Sequence, residues 1–519
     1  GVYYHPWMAG EAPRASAQME DLLFGHKIAE AGDLVLTNAH EFWNAIVAPN
    51  GSYNWKNKKV KFFLGGSYRG LALDRSQYVA VTTMLVEDVA ADEVQARFTL
   101  RPLAKKLEGQ LPVTPYFESS YPNLGDGVRG TKKPILYGRA TFKPDLTDTS
   151  GNGVYTLADS AYQTLFAVNS VNAISKATGV RTALSVTTHY TQDLTACTVT
   201  IVSATYKWQD YEVEVDATGE VDGAGSYLKK FGEIVKDVLT TFLDVATADI
   251  DAAAFSSADT DAPEELSVFL KESRSIASIL STAEPGLPSL ERSVMGTVQQ
   301  TLAGLWTCWI WDPSYDAAGA TSLKKEDFAK FDPQPKLETV YKGTNVHFNR
   351  NHSTGAWVVE QATDNKIKWL NETTDELNVY TFLRAAADAQ TLAQRYLLIL
   401  GGVTTEIEFE ERGAKLAQAT VGDKILVTFD PAPDSAGLYS AKPFELIRLD
   451  KSPSPRLTIA GRFGDLRGVG ERVGFWTADS APAWAAATVG DKATSGYWSN
   501  DDGTIVSGDP STLKASIWW

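Results

Sequence analysis

Between residues 376 and 462 the spacing of apolar positions changes period, and the elements it predicts there organise the reading of the whole chain. Ala385, Ala389, Leu392, Ala393, Tyr396, Leu397 and Leu400 recur at helical spacing, which predicts an amphipathic helix ending near Gly401 and Gly402. Val403, Ile407 and Phe409 then alternate with Thr404, Glu406, Glu408 and Glu410, the signature of a half-buried strand. Val421, Gly422 and Asp423 turn the chain into a second alternating run at Ile425, Val427 and Phe429, and further strands are predicted at 444–449 and 457–459. One helix covering a small antiparallel barrel or sandwich satisfies this pattern, because a half-buried sheet needs its apolar face covered and closure removes its edges. Leu392, Tyr396 and Leu400 are therefore expected to bury against strands 403–409 and 425–429.

Earlier in the chain strand patterns dominate. After a helical start at 19–24, AGDLVLTNAHEF predicts a strand and a turn at Asn38, and NWKNKKVKFFLGG a strand ending at Gly65 and Gly66. QYVAVTTMLVEDV and EVQARFTLRPLAKKLEGQL predict two more strands and a terminal turn. Pro122, Gly125, Gly127, Gly130 and Pro134 crowd one turn-rich connector that enters a strand at Ile135. A phosphate-binding loop is the rival reading, against which neither a Lys-Ser/Thr pair nor a helix follows the glycines. Strands continue through GVYTLAD, LFAVNSVNAI, TALSVTTHY, CTVTIV and YEVEVDA to a break at GEVDGAGS. Tyr227, Leu228, Phe231, Val235, Val238, Leu239, Phe242 and Leu243 then make a helical stripe, and Val294, Val298, Leu302 and Leu305 suggest another helix before LWTCWIWDP.

The order of these segments resembles the tail-tip, or baseplate, hub proteins of siphophages and Mu-like phages. The likeness rests on a strand ending in TN, a strand ending in GG and a strand with an acidic end. It continues through YPN with KPILYG and the ID and F of 250–255. It closes with Leu323 beside Glu326, Asp327 and Phe328, Tyr341 with Asn345, and AAADAQTLAQRYLLIL leading to VGDKILVTF. No single motif is diagnostic; their shared order from Asp33 to Gly461 carries the resemblance. It implies a mainly β, multidomain chain with an α+β middle and two small β-barrels. The expected divisions are an N-terminal arm at 1–32, a first barrel at 33–111, a β-rich connector at 112–225 and an α+β domain at 226–340. A second barrel with its packed helix at 341–470 and a Trp-rich appendage at 471–519 complete the chain. The resemblance further implies a structural virion protein of the tail tip, assembled in the host cytoplasm. Three chains would form a ring joining the tail tube and distal tail proteins to a central fibre, with DNA passing through the lumen without specific binding.

Composition narrows the chemistry. A chain of 519 residues has room for three or four domains at roughly 150 residues each, and its 40 Gly, 14 Trp, 20 Tyr and 21 Phe favour turn-rich β-structure. No apolar run of the ~18 residues needed to span a bilayer occurs, and the first residues lack a signal-peptide pattern. Whether the natural chain extends before Gly1 or beyond Trp519 is left open. Cys197 and Cys308 are too few for a disulfide framework or a four-thiolate site and are expected to be core thiols. A net charge of −16 argues against wrapping nucleic acid, yet it suits a conduit whose wall repels phosphate.

Catalytic, cofactor and metal sites are all expected to be absent, and the chain is not expected to be an enzyme. His347 and His352 lack the intervening acid of a metalloprotease helix and read as solvated residues of a hairpin turn. The acids at 249, 251, 259, 261, 264 and 265 lack calcium-loop spacing, and 259–265 reads as a solvated loop capping a helix that begins near Pro263. Trp476, Trp484, Trp498, Trp518 and Trp519 are the candidate fibre- or partner-docking residues; the core of a small β-appendage or a sugar platform would use the same residues. A tail-associated cell-wall hydrolase and a carbohydrate-binding adhesin are the alternative functions.

Overall fold

The computed structural model describes residues 15–18, 27–29, 33–38, 43–44, 54–64, 67–68, 71–72, 78–282, 284–301, 304–311, 320–336, 340–364, 367, 375–401, 404–412, 415–416, 418–429, 439–451 and 457–464. The expected helical start at 19–24 and all five candidate docking tryptophans, Trp476, Trp484, Trp498, Trp518 and Trp519, lie outside them.

Two short strands open the described chain, β1 (Ala15–Gln18) and β2 (Lys27–Ala29). The first sheet consists of β3 (Leu34–Thr37), β4 (Lys59–Leu64), β5 (Val79–Ala91) and β6 (Gln95–Pro102), antiparallel in the order β3-β6-β5-β4. Met84, Val86, Ala96, Phe98 and Leu100 form its core, with Trp43 and Trp55 edge-on to Phe98 at 5.5 and 5.3 Å. The expected turn at Asn38 ends β3. Its side chain is buried because it is the turn's internal tie: it accepts from the Trp43 amide at 2.9 Å and donates to Asn44 Oδ1 at 2.7 Å.

The connector carries a small cluster of its own, Tyr116, Leu124 and Val128 with Tyr121 against it. It delivers the chain into β7 (Ile135–Tyr137), the strand expected at Ile135. Next come β8 (Arg139–Phe142), β9 (Asp145–Asp148), β10 (Val154–Thr156), β11 (Leu165–Ser175), β12 (Arg181–Leu184), β13 (Tyr190–Asp193), β14 (Thr198–Ile201) and β15 (Tyr211–Glu220). They form two four-stranded antiparallel sheets, β8-β15-β11-β12 and β9-β10-β14-β13. Both sheets contribute to one core, which includes Phe142, Tyr155, Leu165, Val199 and Val215. At the junction of β7 and β8, Gly138 has φ +64°, and a Cβ there would lie 1.8 Å from the Leu266 carbonyl oxygen, so only glycine fits.

The centre is mixed. The expected stripe at 227–243 becomes α1 (Phe231–Asp237) and a π-type turn over Val238–Phe242, with Phe231, Val235, Val238 and Leu239 buried. A second helix, α2 (Ala252–Asp261), follows. The loop expected at 259–265 is corrected here: Asp259 lies inside α2, and its carboxylate accepts from the Gly232 amide at 2.6 Å, capping α1 rather than a helix at Pro263. After β16 (Val268–Leu270), α3 (Ile276–Leu280) and α4 (Leu290–Val294), a second correction applies. Val298 belongs to β17 (Gly296–Gln300), which pairs with β18 (Trp306–Ile310) as an antiparallel hairpin, not to a helix. Met295 at φ +57° stops α4. A repeat of four residues fits a period of two as well as 3.6, and the pattern alone did not separate them.

Beyond this, β19 (Thr321–Lys324) and β20 (Phe328–Lys336) lead to β21 (Gly343–Phe348), β22 (Val358–Thr363) and β23 (Glu376–Tyr380), a three-stranded sheet in the order β22-β21-β23. The predicted helix is α5 (Ala386–Leu400), with Ala389, Leu392, Ala393, Tyr396 and Leu400 buried. It does not lie on the strands assigned to it from sequence. Its apolar face joins Val346, Phe348, Ala362 and Val379 in the central core, where the Tyr396 hydroxyl donates to the Arg292 carbonyl at 3.0 Å. Periodicity identifies an apolar face but not the surface that covers it, which here is the sheet of β21 and β22.

The last unit is a barrel-like sheet of β24 (Thr404–Glu411), β25 (Lys424–Phe429), β26 (Tyr439–Lys451) and β27 (Leu457–Gly464) with β19 and β20. Its order runs β20-β24-β27-β26-β25-β19, so the two strands at its ends are joined by the short turn Lys325–Asp327. Phe331 of β20 stacks on Phe429 of β25 at 4.3 Å, bringing the two halves together across the interior. Ile407, Phe409, Ile425, Val427, Phe444 and Leu446 fill that interior. The long β26 shares one edge between two partners: β25 pairs with its first half, and β1 pairs with 448–451. Gly422, at φ +92°, makes the expected turn and leaves room for the Trp309 indole, which touches both the barrel core and the central core.

Candidate interaction surface

Strand alternation gives the barrel a charged outer face. On β24 Ile407 and Phe409 point inward, so Glu406, Glu408 and Glu410 project outward, opposite Gln334, Asp332 and Lys330 of β20 in the register. The next strand places Arg462, Ala460 and Thr458 beside the three glutamates.

The described residues form clefts between units, two of which carry several basic side chains. The first, about 360 Å³, separates the first sheet from the centre and is bridged by Lys59 to Asp249 at 2.5 Å, with Arg101 and Lys106 also on its wall. The second, about 300 Å³, lies between β8 of the sandwich and the β21–β22 turn. Three guanidinium groups line it. Arg139 is held by both oxygens of Asp216 at 2.7 Å. Arg350 lies over the Trp357 ring at 5.4 Å, and neither it nor Arg384 has a carboxylate within ion-pair distance among the described residues. The cleft was not legible in the sequence, since its three arginines come from distant segments; the one local signal was Arg350 lying between His347 and His352.

The two histidines do sit on a hairpin, β21–β22, but in different surroundings. His347 stacks on Tyr380 at 4.2 Å and lies 3.2 Å from Asn378 Oδ1. His352 is not the solvated residue expected: it packs against Phe269 at 5.0 Å, and burial, aided by the charge of Arg350, pushes its imidazole down to about 4. The unfolded chain takes up this proton near 6.5 and the folded chain only near 4, so folding loses stability as pH falls through that window. His352→Gln is expected to remove up to about 3 kcal/mol of that loss, read as a smaller drop in Tm between pH 7 and pH 4.5.

Cys197 and Cys308 are buried free thiols, as expected, and burial holds both well above the usual thiol range. Among the described residues no group of three or more His, Cys, Asp or Glu side chains is placed to hold a metal ion, and no helix is long and apolar enough to cross a membrane.

No family model and no curated protein matches the sequence. Solved structures similar to the chain include a component of the virion of a native gene transfer agent particle, at 8% identity and TM-score 0.44 over 67% of this chain and 88% of that one. A tail protein from Neisseria meningitidis MC58 is similar at 8% identity and TM-score 0.38, covering 90% of this chain and 95% of its own. A 43 kDa tail protein of prophage MuSo2 from Shewanella oneidensis is similar at 11% identity and TM-score 0.32, covering 90% and 98%. Two of these solved structures are tail proteins, one of them of a prophage, and the third belongs to a virion.

Proposed function

We propose that the chain is a structural protein of a phage tail and, within it, the tail-tip or baseplate hub. The observation that carries this reading is the presence of two separate β-units, one at 34–102 and one built from 321–336 and 404–464, with a sandwich and most of a mixed centre between them in chain order. Their order follows the sequence segments that resemble the hub family. Two such units from each of three chains give six β-lobes around one axis, which reconciles a sixfold tail tube with a threefold central fibre. The outward row of Glu406, Glu408 and Glu410 and the net charge of −16 suit a lumen through which DNA passes unbound. Trp476, Trp484, Trp498, Trp518 and Trp519 are the proposed contact to the fibre, and the proposed location is the virion tail after assembly in the host cytoplasm. The role needs no catalytic group and no cofactor.

The test is the mass of the purified assembly. Three times the 56.4 kDa chain mass is expected, with electron micrographs showing the β-lobes on one tier and duplex DNA held weakly at physiological salt. A monomer on the outer surface of the particle would overturn the reading in favour of an adhesin. Release of fragments from cell walls would overturn it in favour of a hydrolase.

A further inference from the structure

We propose that the cleft between β8 and the β21–β22 turn is a docking site for an extended acidic segment of a partner protein, whose side-chain carboxylates pair with Arg350 and Arg384. The cleft carries three arginines against one aspartate, on a chain whose net charge is −16. Of its three arginines, Arg139 is already neutralised by Asp216. Arg384 feels Glu265 only at a distance, and that carboxylate is held by Lys229 at 2.6 Å. Arg350 is left with an aromatic face and no anion, and its charge is felt by its neighbours: it lowers the proton affinity of both Arg274 and His352. A guanidinium over an indole is fixed in place and presents a planar fork that fits a carboxylate. Trp357 is itself braced by Tyr380 at 5.5 Å.

A peptide suits the site better than a free acid because of what adjoins it. Val358 and Val359, each 46% exposed, begin β22, and β22 pairs on only one side among the described residues. An extended segment laid along such an edge gains main-chain hydrogen bonds, and the exposed valines would meet its apolar residues. The inference does not depend on the ring proposed above.

The test uses the full chain and a fluorescein-labelled peptide of alternating glutamate and valine, followed by anisotropy. A lysine-valine peptide and an oligomer of glucuronic acid are the comparison ligands. Saturable binding of the glutamate peptide is expected, weakening with salt and falling about tenfold or more when Arg350 and Arg384 are both replaced by Ala. Val358→Glu, a change at an exposed position, is expected to weaken it as well by repulsion and guards against misfolding of the double variant. Binding that is unsaturable, equal in the variants, or stronger for the glucuronate oligomer or the lysine peptide would overturn the proposal.

Discussion

Leu392→Asp is expected to lower the Tm of the purified chain by more than about 10 °C. Leu392 is 3% exposed on the inward face of α5, in the cluster that also holds Val346, Phe348 and Val379. A carboxylate at that position has no cation to meet in the cluster, and burying an unpaired charge costs on the order of 4 to 5 kcal/mol or more. That is a large share of the 5 to 15 kcal/mol that keeps a typical domain folded, and at about 2 to 4 °C per kcal/mol it sets the size of the shift. The site of the damage is as informative as its size. Hydrogen exchange should quicken first in β21 and β22, which α5 covers, and later in β24 and β25. An unchanged Tm, or loss of protection that begins in the barrel, would mean that the helix lies elsewhere.

Gly138→Ala is expected to cost more than about 3 kcal/mol, although it adds a single methyl group. The residue sits at φ +64° and the new Cβ would fall 1.8 Å from the Leu266 carbonyl oxygen, a backbone atom that cannot rotate away. The same crossing is pinned by the Gly219 amide donating to the Gly138 carbonyl at 2.7 Å and the Gly138 amide donating to Leu228 at 2.9 Å. Gly219 is equally confined, with a Cβ position 2.1 Å from the Leu136 carbonyl oxygen. Gly127→Ala is the control: nothing lies within 4 Å of its Cβ position, so its effect should stay within about 0.5 kcal/mol. Equal urea midpoints for the two variants would show that the crossing tolerates a side chain.

Strand positions were the most legible part of the sequence, because alternation is local. Four of the five runs from 154 to 220 became β10, β11, β14 and β15 where the pattern put them, TALSVTTHY instead split between β12 and the start of β13, and the breaks at Asn38, Asp222 and Gly422 fell at turns. Helices were less secure. Phe231, Val235, Val238 and Leu239 marked a real buried face, but Val294 and Val298 mimicked one across a helix end and a strand. What lay beyond reach was the choice of partner surface. The stripe of α5 showed that something covers it, and nothing within 15 residues could show that β21 and β22 do so. The arginine cleft was hidden for the same reason, since Arg139, Arg350 and Arg384 meet only through the packing of separate units.

The pairing of β1 with the far half of β26 joins Ala15 to Lys451 and Gln18 to Arg448. A chain made from its N-terminus on a ribosome therefore holds β1 ready long before its partner exists. At about 5 to 20 residues per second the wait is roughly 20 to 90 seconds, far longer than a hairpin takes to form. Among the described units the barrel is thus the last able to finish, and β1, which extends the edge of its β26, is made long before it. Until translation passes residue 451, β1 and β2 carry unpaired edges that another nascent chain could capture, so successful folding favours spacing between ribosomes or a holding chaperone.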